Sequence, residues 1–527
     1  MLSGRDILNN EFEVCVVGAG PVGVCIALTL SRSGVRTILL ERGTRHATPP
    51  KRLREAGLDA ASHASDRDTL AFGLGGTSSR WGGRCVELDD IDFEYRDYLG
   101  EEARWPISHS ELEPYYTEAA QLMKAPRPHN PSLSNGTFLE SVESWAFPRN
   151  TATANRSDLL ASKSLHILLD AQLIKLNFDS STSRVTSAAI RCDKRDGTVR
   201  ANHFVLACGG RENSRILLNL QAQFPDLFAG EEGPLGRFYM GHLTGQIAQI
   251  RFQSDAVAQQ FFFKRQQDGR FTRRRFQPAP QTQRELSLLN TVMWPHNSDV
   301  GKLPPREALA SAVFLREVLQ GKRDASRQEC IIHGKFLMRH PIEGLASISK
   351  VAHDRYFYGL PHLLMRDAQN EYRLSYHSEQ VPRRLSRMRL IADRDQEDQL
   401  LMSNEFSYCP DDYQSVLRVH QSFDEWLRAT GLGSLRFFEG DLEEMVRSQA
   451  RDGYHQIGLT RMGNNRQEAV VDSNCRTFDV SNLFVSGSSV FTTSGQANPT
   501  FPAVAFGVRL ARHLASVVER SRPAKIA

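Results

Sequence analysis

Three glycines and one glutamate near the N-terminus have the spacing of a nucleotide-binding turn. The segment Gly18-Ala-Gly20-Pro-Val-Gly23 has the pattern Gly-x-Gly-x-x-Gly, and Glu41 follows 23 residues after Gly18. In such a pattern the first glycine allows a tight turn, the second lets a pyrophosphate approach the backbone, and the third lets helix and strand pack closely. A carboxylate at Glu41 can accept hydrogen bonds from ribose hydroxyls. These residues predict dinucleotide binding without separating FAD from NAD.

The elements around these glycines are the ones that such a site requires. Val14 to Val17 is a short apolar run that predicts a buried parallel strand. An apolar stretch with helical spacing follows Gly23, and Thr37 to Leu40 predicts a second strand that ends at Glu41. The helix N-terminus would offer amides and partial positive charge to phosphates. The alternative is a glycine-rich turn between a core strand and a core helix.

A second glycine-rich segment, 73–83, has five glycines in eleven residues. A backbone with so few side chains either turns sharply or lies against a flat ligand. Trp81 in its middle argues against a flexible surface loop, because linkers rarely contain tryptophan. The composition of this segment therefore favours ligand contact.

Composition excludes several classes of protein. The 527 residues can hold two or three domains, and the net charge of +4 is too balanced to indicate nucleic-acid binding. The eight cysteines are scattered and include no CxxC pair, so neither a redox dithiol nor a metal site is predicted. Residues 1–13 lack the apolar region of a signal peptide, and no run of about 20 apolar residues predicts a membrane span. We therefore expect a reduced, cytoplasmic protein.

The sequence pattern predicts both strands and helices in the middle of the chain. Val185 to Val205 predicts a β-hairpin that turns near Asp196-Gly197. Residues 244–447 predict a sheet-plus-helix insertion, in which Glu329 to Met338 alternates like a strand and Ser415 to Ala429 has helical spacing.

A basic cluster interleaved with phenylalanines lies inside the insertion. Its members are Lys264, Arg265, Arg270, Arg273, Arg274 and Arg275. A solvated face or an oligomer contact is the simplest explanation. The more specific alternative is that the cluster binds an anionic substrate or a redox partner. Binding of nucleic acid is less favoured than either, because the chain as a whole is not basic.

Taken in order, these segments resemble the glucose–methanol–choline (GMC) family of FAD-dependent oxidoreductases. The resemblance looks closest to the branch of pyranose oxidases and sugar dehydrogenases, because NPT supplies Asn498 where glucose oxidases carry a second histidine. It covers residues 14 to about 512. The motifs that carry it are GAGPVG with Glu41, GGTSSRWGG (75–83), VLACGGRENSRILL (205–218), Glu379-Gln380 with Pro382, Ser386 and Arg387, HQIGLTRMG (455–463), NLFVSGSSVF (482–491) and NPT (498–500).

The resemblance implies an α/β fold with a Rossmann-like FAD-binding domain and a discontinuous α+β substrate-binding domain. We expect residues 1–95, 155–243 and 448–527 to form the FAD-binding domain. Residues 96–154 and 244–447 would form the substrate-binding domain, with the substrate in a cleft between the two, over the flavin.

FAD is the implied cofactor, and its contacts follow the matched motifs. The first motif would hold the ADP half, segment 171–173 the adenine, the second glycine segment the flavin, Gly487 and Ser488 the pyrophosphate and ribityl chain, and the NPT segment the isoalloxazine. The expected contact residues are Gly18, Gly20, Pro21, Val22, Gly23, Glu41, Arg42, Gly76, Thr77, Ser78, Arg80, Trp81, Gly82, Gly83, Leu173, Ala207, Cys208, Gly209, Ser488, Asn498, Pro499 and Thr500.

Two residues receive catalytic roles from the resemblance. Alcohol oxidation by flavin needs a base for the O–H proton and a group that holds the oxygen. An imidazole suits the first task, and an amide with donors and an acceptor suits the second. The sequence alone does not single out one of 16 histidines, but the family pattern assigns the base to His455 and the oxygen-binding role to Asn498.

The sequence departs from the family pattern in two places. Leu459 stands where the pattern has threonine, with Thr460 following, which puts one local hydrogen bond in doubt. Arg80 stands where relatives with covalent FAD carry a histidine, so we expect non-covalent FAD.

The implied activity is oxidation of an alcohol group in a small sugar, glycoside or aminosugar-type substrate, with oxygen or another carrier as electron acceptor. One alternative is a flavin monooxygenase, which shares the GAGPVG start but carries a later Gly-Asp motif where this chain has Gly487-Ser488-Ser489. The other is a lyase or non-redox flavoprotein, against which the presence of both His455 and Asn498 argues.

Overall fold

Two large β-sheets organise the chain. The computed structural model describes residues 11–50, 55–56, 61–127, 136–192, 195–298, 305, 307–367, 369–394 and 400–522. Its strands are β1 (Glu11–Val17), β2 (Thr37–Leu40), β3 (Glu55–Ala56), β4 (Arg84–Cys85), β5 (Phe138–Trp145), β6 (Leu165–Leu168), β7 (Ala171–Asp179), β8 (Arg184–Cys192), β9 (Arg195–Leu206), β10 (Leu243–Phe252), β11 (Lys264–Arg265), β12 (Phe271–Pro278), β13 (Thr291–His296), β14 (Glu371–Ser378), β15 (Arg387–Arg394), β16 (Leu400–Glu405), β17 (Gly433–Phe437) and β18 (Leu483–Val485).

Helices cover both sheets and connect their strands. They span Pro21–Arg32, Asp66–Thr69, Asp90–Phe93, His109–Met123, Thr151–Ala154, Arg156–Ala161, Gly210–Gln223, Asp255–Ala258, Pro280–Glu285, Ala308–Leu319, Arg327–Arg339, Pro341–Tyr358, Pro410–Ala429, Leu442–Gln449 and Thr500–Ser521.

The first sheet has the strand order β6-β2-β1-β9-β8-β7, with β18 also paired to β9. Strands β6, β2, β1, β9 and β18 run parallel, because each is reached by a crossover connection. Val14 to Val17 pair with Thr37 to Leu40, and the residues of both runs are buried. The α/β fold class and its dinucleotide-binding unit are therefore confirmed.

The first and last helices pack on each other against this sheet. Pro21–Arg32 contacts Thr500–Ser521 along its length, and an ion pair joins Glu13 to Arg522 at 2.8 Å. Thr500–Ser521 is long and apolar enough to cross a membrane by length and composition, but 67% of its apolar window is buried inside the protein. Its apolar character is accounted for by this packing.

The second sheet is antiparallel, in the order β17-β10-β14-β13-β12-β5-β4, with β11 paired to β12. Its strands lie in the predicted substrate-binding segments, except that β4 belongs to the 1–95 segment and β10 begins at Leu243. The first sheet takes all its strands from the predicted FAD-binding segments. The division into domains agrees with this distribution and stays a prediction.

Two local predictions are wrong. Asp196-Gly197 lies inside β9, where Asp196 pairs with Arg191, so the hairpin does not turn there. Glu329 to Met338 is helical within Arg327–Arg339, because Ser326 and Glu329 form a capping box that starts a helix. A short run with both apolar periodicities is ambiguous, and the cap decides between them.

Candidate active site

The first glycine turn has the geometry that its sequence predicts. Gly18 adopts φ +98°, and a Cβ there would lie 2.6 Å from the Ala207 carbonyl oxygen. A Cβ on Gly23 would overlap the Gly18 carbonyl oxygen, so both glycines are needed for close packing of strand and helix. At Gly20, by contrast, a Cβ would meet nothing within 4 Å. The backbone at Gly20 therefore faces open space that a phosphate can enter.

The helix that starts there is suited to an anion. Pro21–Arg32 begins after Gly20 with no side-chain cap among the described residues and no acid in its first turn. Its first amides and its positive dipole end are thus available to a phosphate. These features fit the pyrophosphate of a dinucleotide.

Glu41 holds the loops around the predicted ribose position. It is buried and accepts hydrogen bonds from the backbone amides of Ala19, Gly43 and Gly73, each at 2.8 Å. Burial raises the pKa of this carboxyl, and the three amides oppose that rise. Oε1 takes two of these bonds and Oε2 one, which leaves Oε2 an acceptor position for a ribose hydroxyl.

A cavity runs from Glu41 past the glycine turn to the last helix. Most of the predicted cofactor contacts line it: Gly18, Gly20, Pro21, Val22, Glu41, Arg42, Gly76, Thr77, Leu173, Ala207, Cys208, Gly209, Ser488, Pro499 and Thr500. Seven predicted contacts lie outside it, and three of these line neither this cavity nor the neighbouring one. Gly23 packs beneath the turn, Ser78 bonds the Gly75 carbonyl and the Thr151 amide, and the Gly83 carbonyl accepts from the Ala146 amide.

A second cavity, of about 1180 Å³, opens beside the first. The two share Thr69, Thr77, Tyr454 and Thr500 in their walls. His455, Asn498, Arg80, Trp81 and Gly82 line the second cavity, next to this junction. An elongated cofactor in the first cavity would therefore present its reactive end to His455 and Asn498.

His455 and Asn498, to which the family resemblance assigns roles at one oxygen, are in contact. Asn498 Nδ2 donates to His455 Nε2 at 3.2 Å. Asn498 Oδ1 is buried and has no hydrogen-bond partner among the described residues. A donor group on a bound ligand would satisfy that oxygen.

Asp452 orients the imidazole from behind, and the sequence analysis did not identify it. His455 Nδ1 lies 3.0 Å from Asp452 Oδ2. Burial by itself would raise the pKa of Asp452, but the facing rings of His455 and His242 hold it well below its usual range. An ionised Asp452 keeps the proton of His455 on Nδ1, so Nε2 carries the lone pair that faces Asn498. The spacing Asp-x-x-His was the available sequence signal.

Two further histidines back the site. His242 Nδ1 lies 2.9 Å from His455 Nδ1, and the His242 ring stacks on His377 at 4.1 Å between centroids. Burial lowers the pKa of both, and for His377 the other two rings and Arg84 add to that effect. Ring nitrogens of the three lie within 4.8 Å of one another, a spacing that could hold a metal ion. The sequence does not predict this cluster, because its members are far apart in the chain.

The two departures from the family pattern have clear structural counterparts. Leu459 is fully buried against Tyr239 and Met388. Thr460 Oγ1 bonds Ser489 Oγ at 2.7 Å, so the neighbouring residue supplies a hydroxyl contact. Arg80 directs its guanidinium to the carbonyls of Arg67 and Leu70.

Comparison with known proteins agrees with this geometry. The family profile described as GMC oxidoreductase matches residues 367–507, and an FAD binding domain profile matches residues 11–61. The chain carries a GMC oxidoreductase C-terminal domain and an FAD-binding domain. It is an FAD-dependent alcohol oxidoreductase, whose FAD-binding profile covers the glycine turn and Glu41.

Two curated proteins similar to this chain are enzymes. The 6'''-hydroxyparomomycin C oxidase of Streptomyces lividus is 22% identical over 553 residues, covering 98% of this chain and 94% of the relative. The 2-methyl-1,2-propanediol dehydrogenase of Mycolicibacterium austroafricanum is 39% identical over 72 residues, which is 13% of each chain.

Solved structures share the fold of this chain at low sequence identity. Pyridoxine 4-oxidase from Mesorbium loti has a TM-score of 0.52 at 16% identity, covering 95% of this chain and 99% of that one. A fungal aryl-alcohol oxidase has a TM-score of 0.53 at 12% identity, covering 97% and 100%. These values support the fold alone.

Proposed function

We infer that this enzyme oxidises the alcohol group of a sugar-like substrate to a carbonyl, with His455 as the base. The observation that carries this is the contact of His455 Nε2 with Asn498 at the junction of the two cavities. The full-length similarity to an oxidase named for hydroxyparomomycin supports a sugar-type substrate.

Each residue has a defined task. Bound FAD supplies the acceptor for the two electrons of the C–H bond, as a hydride. His455 Nε2 takes the hydroxyl proton, and Asn498 donates to the same oxygen and fixes the carbon. Asp452 stabilises the imidazolium that forms, because its carboxylate lies 3.0 Å from His455 Nδ1.

FAD is proposed to be held without a covalent bond. The side chain at the position of the linking histidine is Arg80, and its guanidinium donates to backbone carbonyls. Oxygen or another carrier would then take up the electrons. The cytoplasmic location stays a prediction.

Anaerobic titration tests the proposed function. Purified FAD-loaded protein is mixed with sugars, glycosides, aminosugars and simple alcohols while the flavin absorbance is recorded. Bleaching by a sugar-type alcohol is expected, and readmitted air then separates oxidase from dehydrogenase by the rate of recolouring. If no alcohol bleaches the flavin but NADPH does, the monooxygenase alternative replaces this proposal.

A further inference from the structure

The wall of the second cavity is strongly cationic. Among the described residues, the acids in its lining are Asp68 and Glu317. Glu317 already pairs with Arg323 outside the lining. The lining arginines are Arg80, Arg84, Arg149, Arg273, Arg316 and Arg355.

Arg84 and Arg273 form the best-defined part of this wall. Both bond the buried carboxylate of Glu143, which also lies 3.8 Å from Arg275. Asp89 supplies a second negative charge near Arg275. Arg84 and Arg273, by contrast, share the single negative charge of Glu143. Arg84 Nη2 is buried and lacks a hydrogen-bond partner among the described residues. A buried guanidinium donor without an acceptor is costly, and an anion in the cavity would satisfy it.

Aromatic rings fix the planes of these two guanidinium groups. Arg84 lies over the Trp294 ring at 4.2 Å and Arg273 over the same ring at 4.9 Å. Phe263 and Trp145 contact Arg273 at 5.0 and 5.6 Å. Glu143 takes up one edge of each guanidinium, and the aromatic faces hold the remaining N–H groups in a plane that suits binding of a carboxylate or phosphate.

A second pair of arginines adds to the positive field. Burial and the nearby charge of Arg355 lower the pKa of Arg149. Neither has a carboxylate partner among the described residues. An anion would relieve the repulsion between them.

The cationic wall lies close to the reacting centre. Arg84 and Arg273 line the same cavity as His455 and Asn498. The base and the arginines therefore belong to one small-molecule site.

We propose that the substrate carries an oxyanion, a carboxylate or a phosphate, that binds Arg84 and Arg273 while its hydroxyl lies against His455 and Asn498. This inference rests on the proposed alcohol oxidation. It narrows the sugar-like class to acidic members, and it disfavours the aminosugars that the sequence left open, since a cationic ligand would be repelled.

Charge-matched ligands test the inference on the FAD-loaded enzyme. Glucose, glucuronate, glucose 6-phosphate and glucosamine share a ring and differ in charge. Trp81, Trp145 and Trp294 line the cavity, so quenching of tryptophan fluorescence reports binding without turnover. We expect glucuronate or glucose 6-phosphate to bind about 10- to 100-fold more tightly than glucose, with glucosamine weakest, and high salt to weaken the anions alone. If glucuronate binds more tightly than glucose 6-phosphate, the oxyanion is a carboxylate; the reverse order identifies a phosphate.

Variants assign the effect to the arginines. Arg84→Gln should abolish the preference for anions, while the ion pair between Glu143 and Arg273 stays in place. Arg84→Lys keeps the positive charge and should retain part of the preference for anions. Arg274→Gln is the control, because Arg274 pairs with Glu140 and does not line the cavity. If Arg84→Gln fails to fold, the salt dependence of anion binding by the wild-type enzyme decides whether the anions bind through charge.

The outcomes separate the two proposals. Equal affinities, or tightest binding of glucosamine, would overturn the oxyanion inference even if alcohols bleach the flavin. Anion-selective binding with no bleaching by any alcohol would instead reject the proposed oxidation and leave the oxyanion site standing.

Discussion

Asp452 Oδ2 lies 3.0 Å from His455 Nδ1, on the side of the imidazole opposite Asn498. The carboxylate also accepts the backbone amides of His242, Tyr454 and His455, so its position is fixed before any substrate binds. The ring is thereby held in one tautomer, with its basic nitrogen facing the cavity.

Replacement of His455 should remove the base. We expect His455→Ala to slow anaerobic flavin reduction about 10²- to 10⁴-fold, because a positioned general base contributes that much. FAD content and melting temperature should remain near wild type. His340→Ala, at a half-exposed position of the helical segment, is the control and should reduce at the normal rate. Normal rates in both variants would assign the base elsewhere.

Asp452→Asn should change the pH profile of flavin reduction. The imidazolium loses its counter-charge, so the acidic limb of the rate should move to lower pH and the plateau should fall at least about tenfold. Asp158→Asn, at a surface ion pair with Arg32, is the matched control. A structural role alone would lower stability and leave the limb in place.

Asp452 should also make the stability of the fold depend on pH. Its folded-state pKa is lowered, so its contribution is present above the ordinary pKa of an aspartate, near 3.9, and is lost as the pH falls below it. Wild type should therefore lose stability more steeply than Asp452→Asn below about pH 4. Urea unfolding at several pH values measures this, and parallel curves would contradict it.

Two glycines of the first turn should respond differently to alanine. Gly20→Ala should leave the stability of the apoprotein within about 0.5 kcal/mol and weaken FAD binding at least about tenfold, because its Cβ would enter the space left for phosphate. Gly18→Ala should destabilise the fold by about 1–3 kcal/mol, given φ +98° and the nearby Ala207 carbonyl. Thermal melts and flavin titrations distinguish these effects, and equal losses in both would refute the assignment of Gly20.

Denaturation should release all of the FAD. Because Arg80 cannot form the histidyl linkage, precipitation with acid should leave the yellow colour in solution. Colour that remains with the precipitate would show a covalent bond at another residue.

Local chemistry made the cofactor unit predictable from sequence. The turn from Gly18 to Gly23 and the strand Thr37–Leu40 depend on residues close together in the chain, and their bounds match the structure closely. The wrong strand prediction for Glu329 to Met338 also has a local cause, since the apolar residues of this run fit the periodicity of a strand and that of a helix.

The cationic wall could not be predicted in the same way. Arg84 and Glu143 meet only because β4 pairs with β5, and Arg273 reaches the same carboxylate from β12. The sequence does show a basic cluster, but it does not show that Arg273 turns inward while Arg274 turns to Glu140. Strand register decides that division.

The pairing of the first and last helices bears on how the enzyme is made. The wall of the cofactor cavity includes Gly18 and Thr500, which are almost the whole chain apart. The cavity that would enclose FAD is therefore complete only after the last helix has left the ribosome. Cofactor supply should govern the maturation of finished chains, and apoprotein should accumulate when riboflavin is scarce.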